Sequence, residues 1–94
     1  EFIDLRSIKP WDTDAVLASV KKTGKLLVVE HGHYTCSFGS HVLAEVAQKL
    51  DGVKVRKISY PDAWAPTARE MAQWMRPDAP KIVDAVKKIV ASGK

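Results

Sequence analysis

The residues with the most chemical potential fall within twelve positions: Glu30-His31-Gly32-His33-Tyr34-Thr35-Cys36, with His41 beyond. Imidazole, thiolate and carboxylate are the ordinary ligands of zinc and its neighbours. The spacing matches no zinc finger, and the chain has only one cysteine, so no second Cys pair can complete one. No metal is therefore assigned. Cys36 with His31 or His33 has the residue types of a nucleophile and its base. No oxyanion arrangement is marked beside them, and no catalytic residue is assigned. The loop instead draws its interest from position. It follows a buried strand, and in open α/β sheets ligands bind in the crevice beyond the strand ends. His31, His33, Tyr34 and Phe38 are the candidates for that crevice.

Ser37-Phe38-Gly39-Ser40 opens a helix. Free backbone N–H groups and the helix dipole make such a start an anion site in principle, so Ser37, Gly39 and Ser40 are its candidates. Plain capping with tight packing accounts for the same residues. The segment is neither a dinucleotide fingerprint nor a P-loop, and no nucleotide is implied. Trp11, Trp64 and Trp74 read first as packing anchors. Trp64 lies in a connector with Asp62, Pro66 and Thr67. It is the tryptophan best placed to reach another surface, because aromatic anchors concentrate at interfaces.

These residues need elements to position them. Phe2-Ile3-Asp4-Leu5 has the apolar content of a strand. Asp12, after Pro10-Trp11, can cap a helix carrying Val16, Leu17 and Val20, and Gly24 supplies its left-handed stop. Leu26-Leu27-Val28-Val29 is a continuous apolar run, as in a strand buried on both faces. Glu30 to Ser37 reads as polar loop. A second helix runs from about Phe38 to Leu50 on a stripe of Val42, Leu43, Val46, Ala47 and Leu50, with Gly52 ending it. Val53 to Ile58 alternates apolar and basic residues, a strand with one wetter face. Thr67-Ala68-Arg69-Glu70 has the pattern of a capping box for a short helix ending before Pro77. Asp78 caps the last helix, with Ile82, Val83, Val86, Ile89 and Val90 as its stripe. The order is strand, helix, strand, helix, strand, then two helices. Both crossovers are long enough for parallel βαβ units. The expected fold is a three-layer α/β/α domain with a mostly parallel sheet. Because the chain opens on a strand already in mid-fold, a piece of a larger subunit is expected.

Composition sets the outer limits. The chain has 94 residues, 46% hydrophobic and 28% charged, without repeats or low-complexity runs. That supports one domain with a modest core. No apolar run approaches the ~20 residues of a membrane span, and no secretory leader is read. One cysteine makes no internal disulfide and favours a reducing compartment. The net charge of +4 comes mainly from Lys on helix faces and at the chain end. Without a run of like charge or Arg–aromatic interleaving, nucleic acid is not an expected partner.

The wording of Phe2-Ile-Asp-Leu-Arg-Ser-Ile-Lys-Pro-Trp-Asp12, Ser19-Val-Lys-Lys-Thr-Gly-Lys-Leu-Leu-Val-Val29 and Phe38-Gly-Ser40 resembles the C-terminal domain of the transketolase superfamily. Within it the beta subunit of the thiamine-dependent 2-oxoacid dehydrogenases, of pyruvate, branched-chain or acetoin type, is most similar. Pro61-Asp-Ala-Trp-Ala-Pro-Thr-Ala68 and the helix after Arg76-Pro-Asp78 also fit, so the resemblance spans nearly all of residues 1–94. It implies that the chain lacks the first strand and helix of the family domain. It also implies a parent that binds thiamine diphosphate and magnesium between two other domains, with neither held in this one. No catalytic residue of the family maps onto this chain. The role implied here is assembly: contacts with other domains and subunits in an oligomer, and docking of the acyltransferase core. A cytoplasmic or mitochondrial-matrix enzyme fits that picture. Two departures stand out. Cys36-Ser37 replace the first half of the Gly-Gly-Phe-Gly-like turn that usually opens the second helix, and the His31–Cys36 loop is unusual. Other thiamine enzymes of the superfamily are alternatives: a transketolase, a deoxyxylulose-phosphate synthase or a 2-oxoacid:ferredoxin oxidoreductase. The Lys-Thr-Gly and Asp-Leu-Arg segments favour the dehydrogenase subunit. A free-standing anion- or metal-binding module is the reading from a different class.

Overall fold

A computed structural model describes residues 1–64 and 66–91. Ala65 of the connector and the chain end from Ser92 to Lys94 lie outside the described residues. The first helix, α1, spans Thr13–Thr23. Asp12 Oδ1 accepts the Ala15 N–H at 3.1 Å, which satisfies one of the orphan donors at a helix start. Gly24 ends the helix at φ 78°, a conformation that favours glycine, and its N–H returns to the Val20 carbonyl. Strand β1 follows at Lys25–His33, then α2 at Phe38–Lys49 and strand β2 at Lys54–Tyr60. The last two helices are α3, Arg69–Met75, and α4, Ala79–Ala91, where the Asp78 carboxylate accepts the Lys81 N–H at 3.2 Å.

Among the described residues the sheet has two strands, β1 and β2, paired in parallel. The register runs from Lys25 opposite Lys54 to Val29 opposite Ile58, then breaks before His33 meets Tyr60. A parallel pair needs a crossover, and α2 supplies it. Val16 and Val20 of α1 and Val42 and Val46 of α2 form the buried core. Leu26 and Val28 of β1, with Val53, pack against it. Because alternate side chains leave opposite faces of a strand, the other face of the sheet is left to α4. That helix contacts both strands and buries Ile89. The fold is thus α/β with helices on both sides of a small parallel sheet.

Three sequence expectations need correction. Phe2–Leu5 is not a strand. Phe2 is 93% exposed, Arg6 turns the chain at φ 62°, and Glu1 is drawn to Lys22 of α1 by an ion pair of 2.7 Å. Only Leu5 of this segment packs on the core. Its apolar content was strand-like, but composition alone does not bring a segment alongside a sheet edge, and here the turn at Arg6 and the Glu1–Lys22 pair set its course toward α1 instead. Next, β1 does not stop at Val29. It continues through Glu30 to His33, because β2 continues to offer backbone partners as far as Tyr60. Finally, Thr67 and Glu70 do not form a capping box. Ala68 occupies the cap position of α3 and no side chain caps it.

Candidate functional site

The carboxyl end of β1, the start of α2 and the end of β2 converge on Glu30 and Lys57. β1 carries Glu30 on the same face as Leu26 and Val28, so it points toward α2. Gly39, in the first turn of α2, is buried. Its N–H donates to Glu30 Oε1 at 3.0 Å, and the Ser37 hydroxyl donates to Glu30 Oε2. Ser37 holds the cap position of α2 but makes no side-chain cap bond, its hydroxyl being spent on Glu30. The anion position expected at Ser37, Gly39 and Ser40 is therefore taken by the chain's own carboxylate, favourably placed against the helix dipole. Glycine is required here by space. A Cβ on Gly39 would come within 2.7 Å of Glu30 Cδ and 2.9 Å of Val28 Cγ1.

Lys57 of β2 completes the cluster. Its side chain is 5% exposed, and its ammonium lies 3.8 Å from Glu30 Oε2. It donates to Ser37 Oγ at 2.9 Å, to Ser40 Oγ at 2.6 Å and to the Tyr34 carbonyl. The Tyr34 ring lies over the same ammonium, 4.6 Å from centroid to Nζ, an arrangement that attracts a cation to the ring face. All three protons of the ammonium have acceptors. A buried charge without partners would be costly; this one is saturated. Sequence reasoning missed Lys57, reading it as one of the basic residues on the wetter face of a strand. It shares the odd-numbered register of Val53, which packs on the core, but with Val55 of the same register exposed that register alone was too weak a signal to place a lysine inside.

The loop after β1 is then tied to the connector after β2. Thr35 donates its N–H to Asp62 Oδ1 at 2.9 Å and its hydroxyl to Asp62 Oδ2 at 2.5 Å. These two bonds, the hydroxyl first, hold the Asp62 carboxyl below its ordinary range. His33 Nε2 bonds the Ala63 carbonyl at 2.9 Å. The rings of His31 and Tyr60 meet edge to face at 5.8 Å. At the end of β1, His33 thus faces the connector and His31 the last residue of β2, and the two do not gather around an ion. Among the described residues no group of three or more His, Cys, Asp and Glu side chains could hold a metal. Cys36 is exposed, and no contact brings it to His31 or His33. It sits at φ 62°, a left-handed conformation that favours glycine. His41 instead lies against Trp11 and Phe38, a cluster of three rings with centroids 5.8–6.1 Å apart.

Beyond the connector the character of the surface changes. Trp64 is 96% exposed, and Met71 and Trp74, one turn apart on α3, are 57% and 71% exposed. Pro66 is half-buried and Thr67 exposed. Val83 and Val90 of α4 are also open to solvent. Lys81 secures the turn between α3 and α4. Its ammonium donates to the carbonyls of Trp74 and Arg76 and stands over the Trp74 ring. Among the described residues no helix is long and apolar enough to cross a membrane.

Comparison with known proteins follows the same division. The family model of the transketolase C-terminal domain matches residues 1–82. The beta subunit of the mitochondrial pyruvate dehydrogenase E1 component of Saccharomyces cerevisiae is 35% identical over 97% of this chain. The corresponding subunit of Rickettsia felis is 38% identical over 95% of it. The beta subunit of an acetoin:2,6-dichlorophenolindophenol oxidoreductase from Cupriavidus necator is 32% identical over the whole of it. The chain spans only 26%, 28% and 29% of those three relatives.

Proposed function

The chain belongs to the transketolase C-terminal domain family, and from that premise we propose that it serves as the assembly domain of a 2-oxoacid dehydrogenase beta subunit. In this reading residues 1–94 are one domain, since α4 packs on both strands although the family match ends at residue 82. The parent would decarboxylate a 2-oxoacid with thiamine diphosphate and magnesium, in the cytoplasm or the mitochondrial matrix. The residues present do not fit those groups. The one helix start expected to take an anion already holds Glu30, and the described residues offer no metal-ligand cluster. No step of the chemistry is assigned to this chain.

The observation that carries the proposal is the exposure of Trp64 at 96% on a connector whose neighbours are fixed by hydrogen bonds. An aromatic of this size in water leaves a large apolar area that another surface would gain by covering, and interfaces are built around such anchors. Pro66 and Thr67 follow it. His31, His33 and Tyr34 belong to the segment against which that connector rests, whereas Phe38 packs with Trp11 and His41 on the core side. The partners would be other domains and subunits of the parent, and the acyltransferase core. Trp64→Ala tests this in the full-length subunit. Sedimentation velocity should show weakened subunit or core association with the circular dichroism of the fold unchanged. Association equal to the wild type would sink the proposal.

A further inference from the structure

The segment 31–36, the last three residues of β1 and the turn after them (loop 31–36), has no ligand of its own in the reading above, yet it is held from two directions. On the inner side Lys57 grips it through the Tyr34 carbonyl and ring. On the outer side it grips the connector. The Thr35 N–H and hydroxyl both reach Asp62, His33 reaches the Ala63 carbonyl, and His31 stacks on Tyr60. Tyr60 ends β2 opposite His33, and of the three connector positions between it and Trp64, Asp62 and Ala63 are both held by this segment. The connector's own internal support is slight: an Ala63 N–H bond of 2.8 Å to the Pro61 carbonyl.

We infer that loop 31–36 is the positioning element of the Trp64 surface, with Thr35 and Asp62 as the positioning residues. The inference rests on Trp64 being an interface anchor. It adds that the orientation of this anchor is set by a loop some thirty positions earlier in the chain, which in turn is clamped by the buried Lys57. The geometry makes the usefulness plain. A single exposed tryptophan on an untethered connector would lose rotational and backbone freedom on docking, and that loss weakens binding. A clamp removes the loss beforehand. It also couples the crevice side to the docking side. Whatever displaces Tyr34 from Lys57 loosens the hold on Asp62.

The test uses Thr35→Val, Thr35→Ser and Asp62→Ala in the full-length subunit within its assembled enzyme. Two readouts are taken: hydrogen–deuterium exchange of residues 60–64, and association by sedimentation velocity. Thr35→Val, which removes one hydrogen bond, should speed exchange in 60–64 and weaken association about fivefold, and Asp62→Ala, which removes both, should do so at least as strongly. Thr35→Ser, which keeps the hydroxyl, should restore both. A structural defect without positioning would move overall stability and would not be rescued by serine. Unchanged exchange at 60–64 in Thr35→Val and Asp62→Ala overturns the clamp, whatever happens to association. Faster exchange with undiminished association overturns its role in docking. The interface reading is separable. If Trp64→Ala leaves association intact while exchange still responds to Thr35→Val, the clamp stands and the anchor is wrong. If Trp64→Ala weakens association and Asp62→Ala does not, the anchor stands and the positioning role falls.

Discussion

The crevice end of the sheet and the outer surface of the connector and α3 invert each other. At the crevice an ammonium and a carboxylate are buried, Lys57 at 5% exposure and Glu30 at 17%, and hydrogen bonds saturate them. At the connector and α3 two tryptophans and a methionine stand in water. Each region breaks the ordinary partition of polar and apolar groups, and the contrast separates two tasks. A buried charge pair is poor evidence for net stability but a strong constraint on geometry, since removing one partner leaves the other stranded. Exposed aromatics contribute little to the fold, and in the proposed function they are the part that another surface covers. The charges hold the loop, and the loop in turn holds the connector that carries Trp64.

That contrast can be broken in order of size. The largest effect belongs to Lys57→Met, which strands Glu30 and frees the Tyr34 carbonyl. It should cost about 3 kcal/mol of stability in urea unfolding, and Glu30→Gln in the same chain should recover part of it. A loss under 0.5 kcal/mol would mean that the pair constrains nothing. Gly39→Ala comes next. The added methyl meets the Glu30 carboxylate and Val28, and overpacking of this kind costs about 2 kcal/mol, well beyond the gain in helix propensity. A smaller effect has the opposite sign. Cys36 at φ 62° pays for a left-handed backbone, so Cys36→Gly should raise the unfolding free energy by about 1 kcal/mol. Trp64→Ala is the smallest for the fold, within about 0.5 kcal/mol of wild type, and that is the sharpest form of the comparison.

Acidity gives a further handle on the outer region. The Thr35 hydroxyl and N–H hold the Asp62 carboxyl below its ordinary range. The Lys22 hydrogen bond, with Ser19 and the Lys22 charge behind it, lowers Glu1 to about 2. Both pKa values are lower folded than unfolded. Their contributions are present above the unfolded carboxylate value and are lost as pH falls through the folded one. Both groups are solvent-exposed, so the effect is local. The protection factor of the Thr35 amide, with the intrinsic pH dependence of exchange divided out, should fall as pH drops below the ordinary carboxylate range while the α1–α2 core stays protected. Uniform loss of protection across the chain would contradict a local clamp.

Much of the scaffold was legible because it depends on neighbours in sequence. Asp12 caps α1, Gly24 stops it, Asp78 caps α4, and the valines of α1 and α2 form the core, all from spacing and local chemistry. The family was legible for a related reason, since its strand-Pro-Asp and Lys-Thr-Gly segments are local wording. What could not be read depends on distant partners. Phe2–Leu5 has strand composition, but only the folded chain shows that among the described residues no strand pairs with it. The His31–Cys36 loop looked like a cluster of ligands, whereas its side chains turn to residues 60–63, some thirty positions away. Lys57 was hidden because a lysine on an alternating strand ordinarily faces water, and the carboxylate that draws it inward lies 27 positions earlier.

The central claim is that the connector surface is covered in the assembled enzyme. Hydroxyl-radical footprinting of the three tryptophans, in the free subunit and in the complex, measures this directly. Trp64, 96% exposed in this chain, should become strongly protected on assembly, while half-buried Trp11, whose partners are internal, should not change. Oxidation of Trp64 at the same rate in both states would contradict the account.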